Sequence, residues 1–395
     1  MSSSSASSAA KSLCRIFSKR TTSKPVINPK PTKPTPTHKS LVDKLFKEKN
    51  LSTLVKKFIK CSENPRFRGH HNIYEDTVRR LASAKKFSCI EQVLEHQKKY
   101  EDITTEGFAM RLISLYGKAG MLDHASKLFD ELPQLKCQRT LKSFNSLLYA
   151  CVQSKQFDKT EKLFRELSSS LSLTPDIVSY NIVIQAFSEM GSLDSAELML
   201  GEMESNGVKP NLITYNTIIN RFFHNGKFSD GERFWARMEE SGIVPDVITY
   251  NAKIKGLVYG GKIAEAVELV EQLESSELEP NHVTYNLLIE GYCNDGNSDE
   301  AKTVYDHMLK TNYVPNRTTF EALIPCIYEN GDLDLALKLC LDSVNSNCLI
   351  DVGVLQVVVD GLAKVSRIEE AKNFVKLARS KKYNNSKLKM PSEDD

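Results

Sequence analysis

At 395 residues the chain exceeds what one hydrophobic core usually organises, so it predicts either two or three domains or an elongated array whose units pack only on their neighbours. Its apolar and charged fractions, 41% and 26%, are ordinary for a globular protein, and no stretch approaches the roughly 18 apolar residues that cross a bilayer, which excludes a membrane-spanning role. The net charge of +3 conceals a division, with residues 1–42 summing to +8, 43–140 to +6, 141–350 to −13 and 351–395 to +2. Because affinity for nucleic acid rests largely on phosphate neutralisation, the acidic middle cannot attract such a partner through a broad positive field.

In chain order, residues 1–17 read as a mitochondrial transit peptide. Met1 to Lys24 is rich in Ser and Ala and carries Lys11, Arg15, Lys19 and Arg20 without a carboxylate, the composition of an organellar address. As a helix it gathers Ala9, Leu13, Ile16 and Phe17 on one side and Lys11 and Arg15 on another. Arg15-Ile16-Phe17-Ser18 resembles a mitochondrial processing site, which sets the mature start near Ser18; the Ser-rich opening leaves a chloroplast address as the rival. Residues 18–42, with Pro25, Pro29, Pro31, Pro34 and Pro36, lack apolar residues to pack and predict an extended basic linker. Residues 43–70 predict N-terminal capping helices, their apolar side formed by Leu45, Phe46, Leu54, Val55, Phe58 and Ile59.

From there an internal period governs the sequence. Pro175-Asp-Ile-Val-Ser-Tyr-Asn181, Pro210-Asn-Leu-Ile-Thr-Tyr-Asn216, Pro245-Asp-Val-Ile-Thr-Tyr-Asn251 and Pro280-Asn-His-Val-Thr-Tyr-Asn286 recur every 35 residues. Extending the register gives anchors at Glu75, Met110, Asn145, Asn181, Asn216, Asn251, Asn286, Glu321 and Gln356, with one step of 36 near Ser168. Nine repeats follow, at 71–105, 106–140, 141–176, 177–211, 212–246, 247–281, 282–316, 317–351 and 352–386, before a charged tail at 387–395.

Each repeat predicts two helices. The first carries apolar residues at i, i+4 and i+7, as in Tyr180, Ile184 and Phe187, or Tyr215, Ile219 and Phe222. A breaker ten residues past most anchors, Gly120, Gly191, Gly226, Gly261, Gly296 or Gly331, ends it in a left-handed turn. Five residues on stands a small side chain, such as Ala125, Ala196, Gly231 or Ala266, followed by an apolar stripe such as Leu269, Val270 and Leu273 that locks the second helix onto the first. One such hairpin cannot bury both apolar faces, so the expected fold is all-α, a right-handed solenoid of about nine helix-turn-helix repeats.

The nine cysteines form no CxxC pair and predict small buried hydrophobes in a reducing compartment. His70, His71, His124, His224 and His282 show no metal-ligand spacing, and no P-loop, GxSxG, HExxH or deaminase signature occurs. Neither a metal, a cofactor nor a catalytic residue is predicted.

A helical hairpin of this length, with Tyr-Asn early in the first helix and Pro-Asp or Pro-Asn closing the unit, resembles the pentatricopeptide-repeat (PPR) family over about residues 71–386. That resemblance implies single-stranded RNA as partner, one base per repeat, read by the anchor residue together with the last residue of the repeat. The implied pairs are Asn145 with Asp176 and Asn216 with Asp246, for uridine, and Asn181 with Asn211, Asn251 with Asn281 and Asn286 with Asn316, for pyrimidine with cytosine favoured. Val178, Ile213, Ile248 and Val283, three residues before their anchors, are the aliphatic surfaces expected to sandwich a base. The implied target is a pyrimidine tract. A plainer role for the anchor asparagines is helix capping, since Asn is a good N-terminal cap.

Departures from the family pattern narrow this. Met110 cannot read a base edge, Glu75, Glu321 and Gln356 are unusual there, and Lys142 replaces the aliphatic beside Asn145. Of the lysines that commonly precede the turn glycine by two residues in the family, only Lys118 is present. Reading residues without phosphate clamps suggest binding helped by a partner. A short chain of few reading repeats with an acidic body resembles the PPR proteins of the small subunit of plant mitochondrial ribosomes, and that resemblance implies a non-catalytic RNA-binding component of, or accessory to, the small subunit of the mitochondrial ribosome in the matrix, contacting rRNA and ribosomal proteins. The alternatives are a free transcript-specific RNA factor and a protein-binding scaffold.

Overall fold

A computed structural model describes residues 38–381 apart from 276 and 312, together with 388–391. The transit peptide, most of the linker and most of the charged tail expected from the sequence lie outside these residues. Among the described residues every regular element is helical.

Two compact units divide at residue 73. In the first, α1 (His38–Lys47), α2 (Leu51–Cys61) and the short α3 (Pro65–Arg68) enclose a small core. Asn50 caps α2 by accepting from the Thr53 N–H at 2.9 Å, and Asn64 does the same for Arg66 at the start of α3. Leu45, Leu54, Val55 and Phe58 are buried, and Phe58 meets Phe67 edge to face at 5.1 Å. Phe46, expected on the apolar side, is instead 43% exposed. It is adjacent to Leu45 in sequence, and a helix turns neighbouring residues about 100° apart.

The division falls within α4 (His71–Ser83), which pairs with α5 (Phe87–Gln97). After a 3-10 turn at Glu101–Thr104 come the pairs α6 (Glu106–Lys118) with α7 (Leu122–Glu131), α8 (Leu141–Gln153) with α9 (Asp158–Ser170), and α10 (Ile177–Met190) with α11 (Leu193–Ser205). The series continues with α12 (Leu212–His224) and α13 (Phe228–Glu240), α14 (Val247–Tyr259) and α15 (Ile263–Glu274), and α16 (His282–Asn294) and α17 (Ser298–Lys310). It ends with α18 (Arg317–Glu329) and α19 (Leu333–Asn345), then α20 (Val352–Lys364) and α21 (Ile368–Ser380). From α6 to α18 each first helix packs on its own second helix and on the first helix of the next pair, as α12 does on α13 and α14.

The turns explain the punctuation. Gly120, Gly191, Gly226, Gly261, Gly296 and Gly331 all have φ between 69° and 87°. Where the equivalent position carries another residue, Lys85, Lys155 and Ser366 adopt φ of 54°, 56° and 59°, the strained conformation that glycine otherwise relieves. Glycine has a second use at Gly256, where a Cβ would lie 2.7 Å from Phe223 Cβ and 2.8 Å from Phe223 O, so its absence sets how closely α14 approaches α12.

Burial holds the stack. Tyr215, Ile218, Ile219, Phe222 and Phe223 of α12 are all nearly or completely enclosed, and each contributes about 1.5–3 kcal/mol relative to exposure. The small positions Ala125, Ala196, Ala266, Ala301, Ala336 and Ala371 are likewise buried. At the C-terminal end Leu388 joins the last core cluster, and its carbonyl accepts from Arg379 Nη2 at 2.7 Å. Cys137, Cys151, Cys326 and Cys340 are buried and the other described cysteines partly so, all as free thiols. Burial pushes the Cys151 thiol up to about 12.

Candidate nucleic-acid interface

Five consecutive first helices, α10, α12, α14, α16 and α18, begin with the same local device. Asp176, Asn211, Asp246, Asn281 and Asn316 are their N-caps, each accepting from the backbone N–H of a Ser or Thr three residues on, whose hydroxyl accepts in return from the cap's own N–H. These hydroxyls, on Ser179, Thr214, Thr249, Thr284 and Thr319, are completely buried. Each also donates to the anchor asparagine of the preceding repeat: Ser179 to Asn145 Oδ1 at 2.6 Å, Thr214 to Asn181 at 2.6 Å, Thr249 to Asn216 at 2.7 Å, Thr284 to Asn251 at 2.8 Å and Thr319 to Asn286 at 2.7 Å.

The same asparagines reach the caps. Asn145 Nδ2 donates to Asp176 Oδ1 at 3.0 Å and Asn216 Nδ2 to Asp246 Oδ1 at 3.1 Å. The neutral pairs are longer, with Asn181 to Asn211 at 3.5 Å, Asn251 to Asn281 at 3.3 Å and Asn286 to Asn316 at 3.2 Å. Every residue pair that the family resemblance implies is thus in side-chain contact, with the anchor's amide fixed at both ends. The anchors are not helix caps: Asn181 is the fifth residue of α10, whose cap is Asp176. The capping alternative belongs one position group earlier.

This locking decides what remains open. Since Oδ1 of each cap must accept backbone N–H groups, an Asn cap turns Nδ2, a donor, away from the ladder, whereas an Asp cap leaves Oδ2, an acceptor. A carboxylate oxygen can accept from the N3–H of uracil, and an amide nitrogen can donate to the unprotonated N3 of cytosine. Burial alone would raise the carboxyl of Asp176. Hydrogen bonds from the Ser179 N–H, the Asn145 amide, the Ser179 hydroxyl and the Val178 N–H outweigh it and lower the pKa.

Beside this row Val178, Ile213, Ile248 and Val283 are 41–63% exposed, leaving apolar side chains open to solvent at the start of four successive first helices. Ile213, Ile248, Val283, Asn216 and Asn251 line one groove of about 630 Å³. Thr217, Asn220, Lys255 and Glu290, to which the repeat pattern had assigned no role, line it too, as does Tyr259, which stands two residues before Gly261 where the family commonly carries a lysine. Nor had it assigned one to the buried Ser/Thr row, although the spacing Asx-x-x-Ser/Thr at a helix start carries that signal.

The outer repeats are closed. Glu75 is paired with Lys118 at 2.8 Å, which also occupies the one lysine that stands two residues before a turn glycine. Glu321 accepts from Arg317 Nε at 2.8 Å and from the Asp351 N–H at 2.6 Å, and Gln356 is held by Asp360 and the Lys389 N–H. Between residues 141 and 350 every arginine is engaged by a carboxylate: Arg165 by Glu161 and Glu202, Arg221 by Glu189, Arg233 by Glu197 and Asp230, Arg237 by Glu204 and Arg317 by Glu321. Among the described residues no group of three or more His, Cys, Asp or Glu is placed to hold a metal ion.

Segments 175–222, 210–259, 245–294 and 280–329 match the profile of the PPR repeat family, and 111–137 and 142–170 match that of the PPR repeat. The small ribosomal subunit protein mS78 (rPPR3a) of Arabidopsis thaliana is 49% identical over 173 residues, 44% of this chain and 44% of that protein. The small ribosomal subunit protein mS79 (rPPR3b) of the same plant is 44% identical over 176 residues, 45% of each chain. The matched segments therefore span less than half the length of these relatives. Among solved structures, PPR10 in complex with an 18-nt psaJ RNA element has a TM-score of 0.47 at 18% identity, covering 89% of this chain and 58% of that one. With more than half of its residues inside the matched repeats, the chain belongs to the PPR repeat family.

Proposed function

We propose that this chain is a non-catalytic RNA-binding component of, or accessory to, the small subunit of the mitochondrial ribosome, acting in the matrix to support translation. Its RNA partner is single-stranded, with pyrimidines preferred across the five reading pairs from Asn145 with Asp176 to Asn286 with Asn316, and bases sandwiched by Val178, Ile213, Ile248 and Val283. The two relatives that carry small-subunit names support the ribosomal assignment.

The observation that carries the reading is the contrast between specificity and affinity groups. The base-reading side chains stand pre-organised in five pairs along six helices, while the arginines around them are neutralised within the protein. A free transcript-specific factor has to draw its RNA in unaided, and committed cations serve that poorly. A subunit held by neighbouring proteins needs only local complementarity.

The test is sedimentation of mitochondrial extract through a sucrose gradient, with the chain followed by mass spectrometry after nuclease digestion of mRNA. Co-migration with the small subunit supports the proposal. Recovery only in the light fractions refutes it and favours the free factor.

A further inference from the structure

The arginines of the reading repeats are spoken for, but one lysine in the groove is not. Lys255 is half-buried on α14 and makes no ion pair with a described carboxylate. It lies four residues beyond Asn251, one helical turn along the same face, a rise of about 6 Å that a lysine side chain spans. Its ammonium rests 5.4 Å from the ring centroid of Tyr259. Lys253, two residues earlier, points elsewhere: it is 2.6 Å from Glu232 and 5.4 Å from the Trp235 ring, and it does not line the groove.

The equivalent positions in the flanking repeats differ in charge. Asn220 on α12 and Glu290 on α16 stand 35 residues before and after Lys255, and both line the same groove. Glu290 forms no ion pair with Lys255. Its Oε1 accepts from the Tyr259 hydroxyl at 3.2 Å, so Tyr259 carries the lysine against its ring and the carboxylate at its hydroxyl. The row therefore runs neutral, positive, negative along the direction in which successive bases would be read.

We propose that Lys255 is the phosphate contact of this groove, that Tyr259 positions it, and that Glu290 opposes the backbone one repeat later, so the strand is gripped at the sixth repeat. The proposal rests on the RNA-binding reading above. A backbone oxygen near Lys255 gains a cation that is not ion-paired with a described carboxylate. The next phosphate meets a negative charge held in place by a hydrogen bond, which confines the tightest contact to the nucleotides read by Asn216 and Asn251.

The test is the salt dependence of binding of the full chain to a 5′-fluorescein decamer of uridine and cytidine, measured by anisotropy between 25 and 150 mM KCl. Each lost phosphate contact lowers the slope of log Kobs against log salt by about 0.7 for a single strand. Lys255→Gln is expected to remove one such increment and weaken binding several-fold, while Lys253→Gln, which removes the same charge away from the groove, leaves the slope unchanged. Glu290→Gln is expected to tighten binding. Tyr259→Phe keeps the ring under the ammonium and the wild-type slope, whereas Tyr259→Leu reproduces the slope of Lys255→Gln. Wild-type binding with equal slopes for Lys255→Gln and Lys253→Gln overturns the assignment of Lys255 alone. No binding by the wild type at 25 mM KCl overturns the RNA-binding reading and this proposal together.

Discussion

Replacing Asn216 by Ala tests whether the anchor asparagines bind the repeats together. The substitution removes the bond from Nδ2 to the Asp246 carboxylate at 3.1 Å and the bond that Oδ1 accepts from the Thr249 hydroxyl at 2.7 Å. A hydrogen bond to a charged acceptor contributes about 1.5–3 kcal/mol and a neutral one about 0.5–1.5 kcal/mol. Part of this is recovered, because the Thr249 hydroxyl can turn to Asp246 Oδ1, 2.9 Å away. Alanine also gains roughly 0.5 kcal/mol of helix propensity over asparagine. The expected net loss is about 2 kcal/mol. At Asn181 the cap is the neutral Asn211 at 3.5 Å, so the 2.6 Å bond from Thr214 dominates; Thr214 can likewise turn to Asn211 Oδ1, 3.1 Å away, and with the same gain in propensity Asn181→Ala should cost at most about 0.5 kcal/mol. Urea unfolding at pH 7 followed by far-UV circular dichroism gives the global values. Because repeat arrays can unfold in segments, hydrogen exchange across α14 and α12 should report the same order locally. Equal costs for the two variants, or no measurable cost for Asn216→Ala, would refute the ladder as a stabilising device.

Three further outcomes are expected. Lys155→Gly should stabilise the fold by roughly 0.5–1 kcal/mol, since φ of 56° strains a lysine, while Gly191→Ala should destabilise it by about 1 kcal/mol; paired thermal melts check both signs. Gly256→Ala puts a methyl 2.7 Å from Phe223 Cβ beside its backbone carbonyl, and the forced separation of α12 and α14 should cost about 1–3 kcal/mol in urea titration. Asp176 has a carboxyl held below its ordinary range, so its charge-dependent stabilisation is fully present above the unfolded-state pKa and is lost as pH falls through the lower folded value. Unfolding of wild type and Asp176→Asn from pH 6 down to pH 2.5 should therefore show a wild-type advantage that disappears at the acid end, and a constant difference would contradict it.

Much of the site was legible before any coordinate. The family resemblance implied five anchor and cap pairs, and all five are in side-chain contact, while the aliphatic residues three positions before the anchors are exposed. What escaped was the hydroxyl row. Ser179, Thr214, Thr249, Thr284 and Thr319 stood inside the recurring heptads, but periodicity sorts residues by apolar or polar face and has no place for a buried hydroxyl that is satisfied by two repeats at once. Phe46 shows the converse error, an apolar residue near a buried face that the short α1 leaves in solvent.

Local sequence chemistry determined the helix pairs, the left-handed turns and the helix caps, because spacing, caps and glycine act within a few positions along the chain. Only the tertiary structure decided which charges are spent and which are free. Ion pairs such as Arg221 with Glu189 and Arg233 with Glu197 join residues more than 30 positions apart, on neighbouring helices, where composition records a sum and says nothing of partners. That is why Lys253 and Lys255, alike in sequence and two residues apart, separate in space into a lysine held by Glu232 and a lysine turned into the groove.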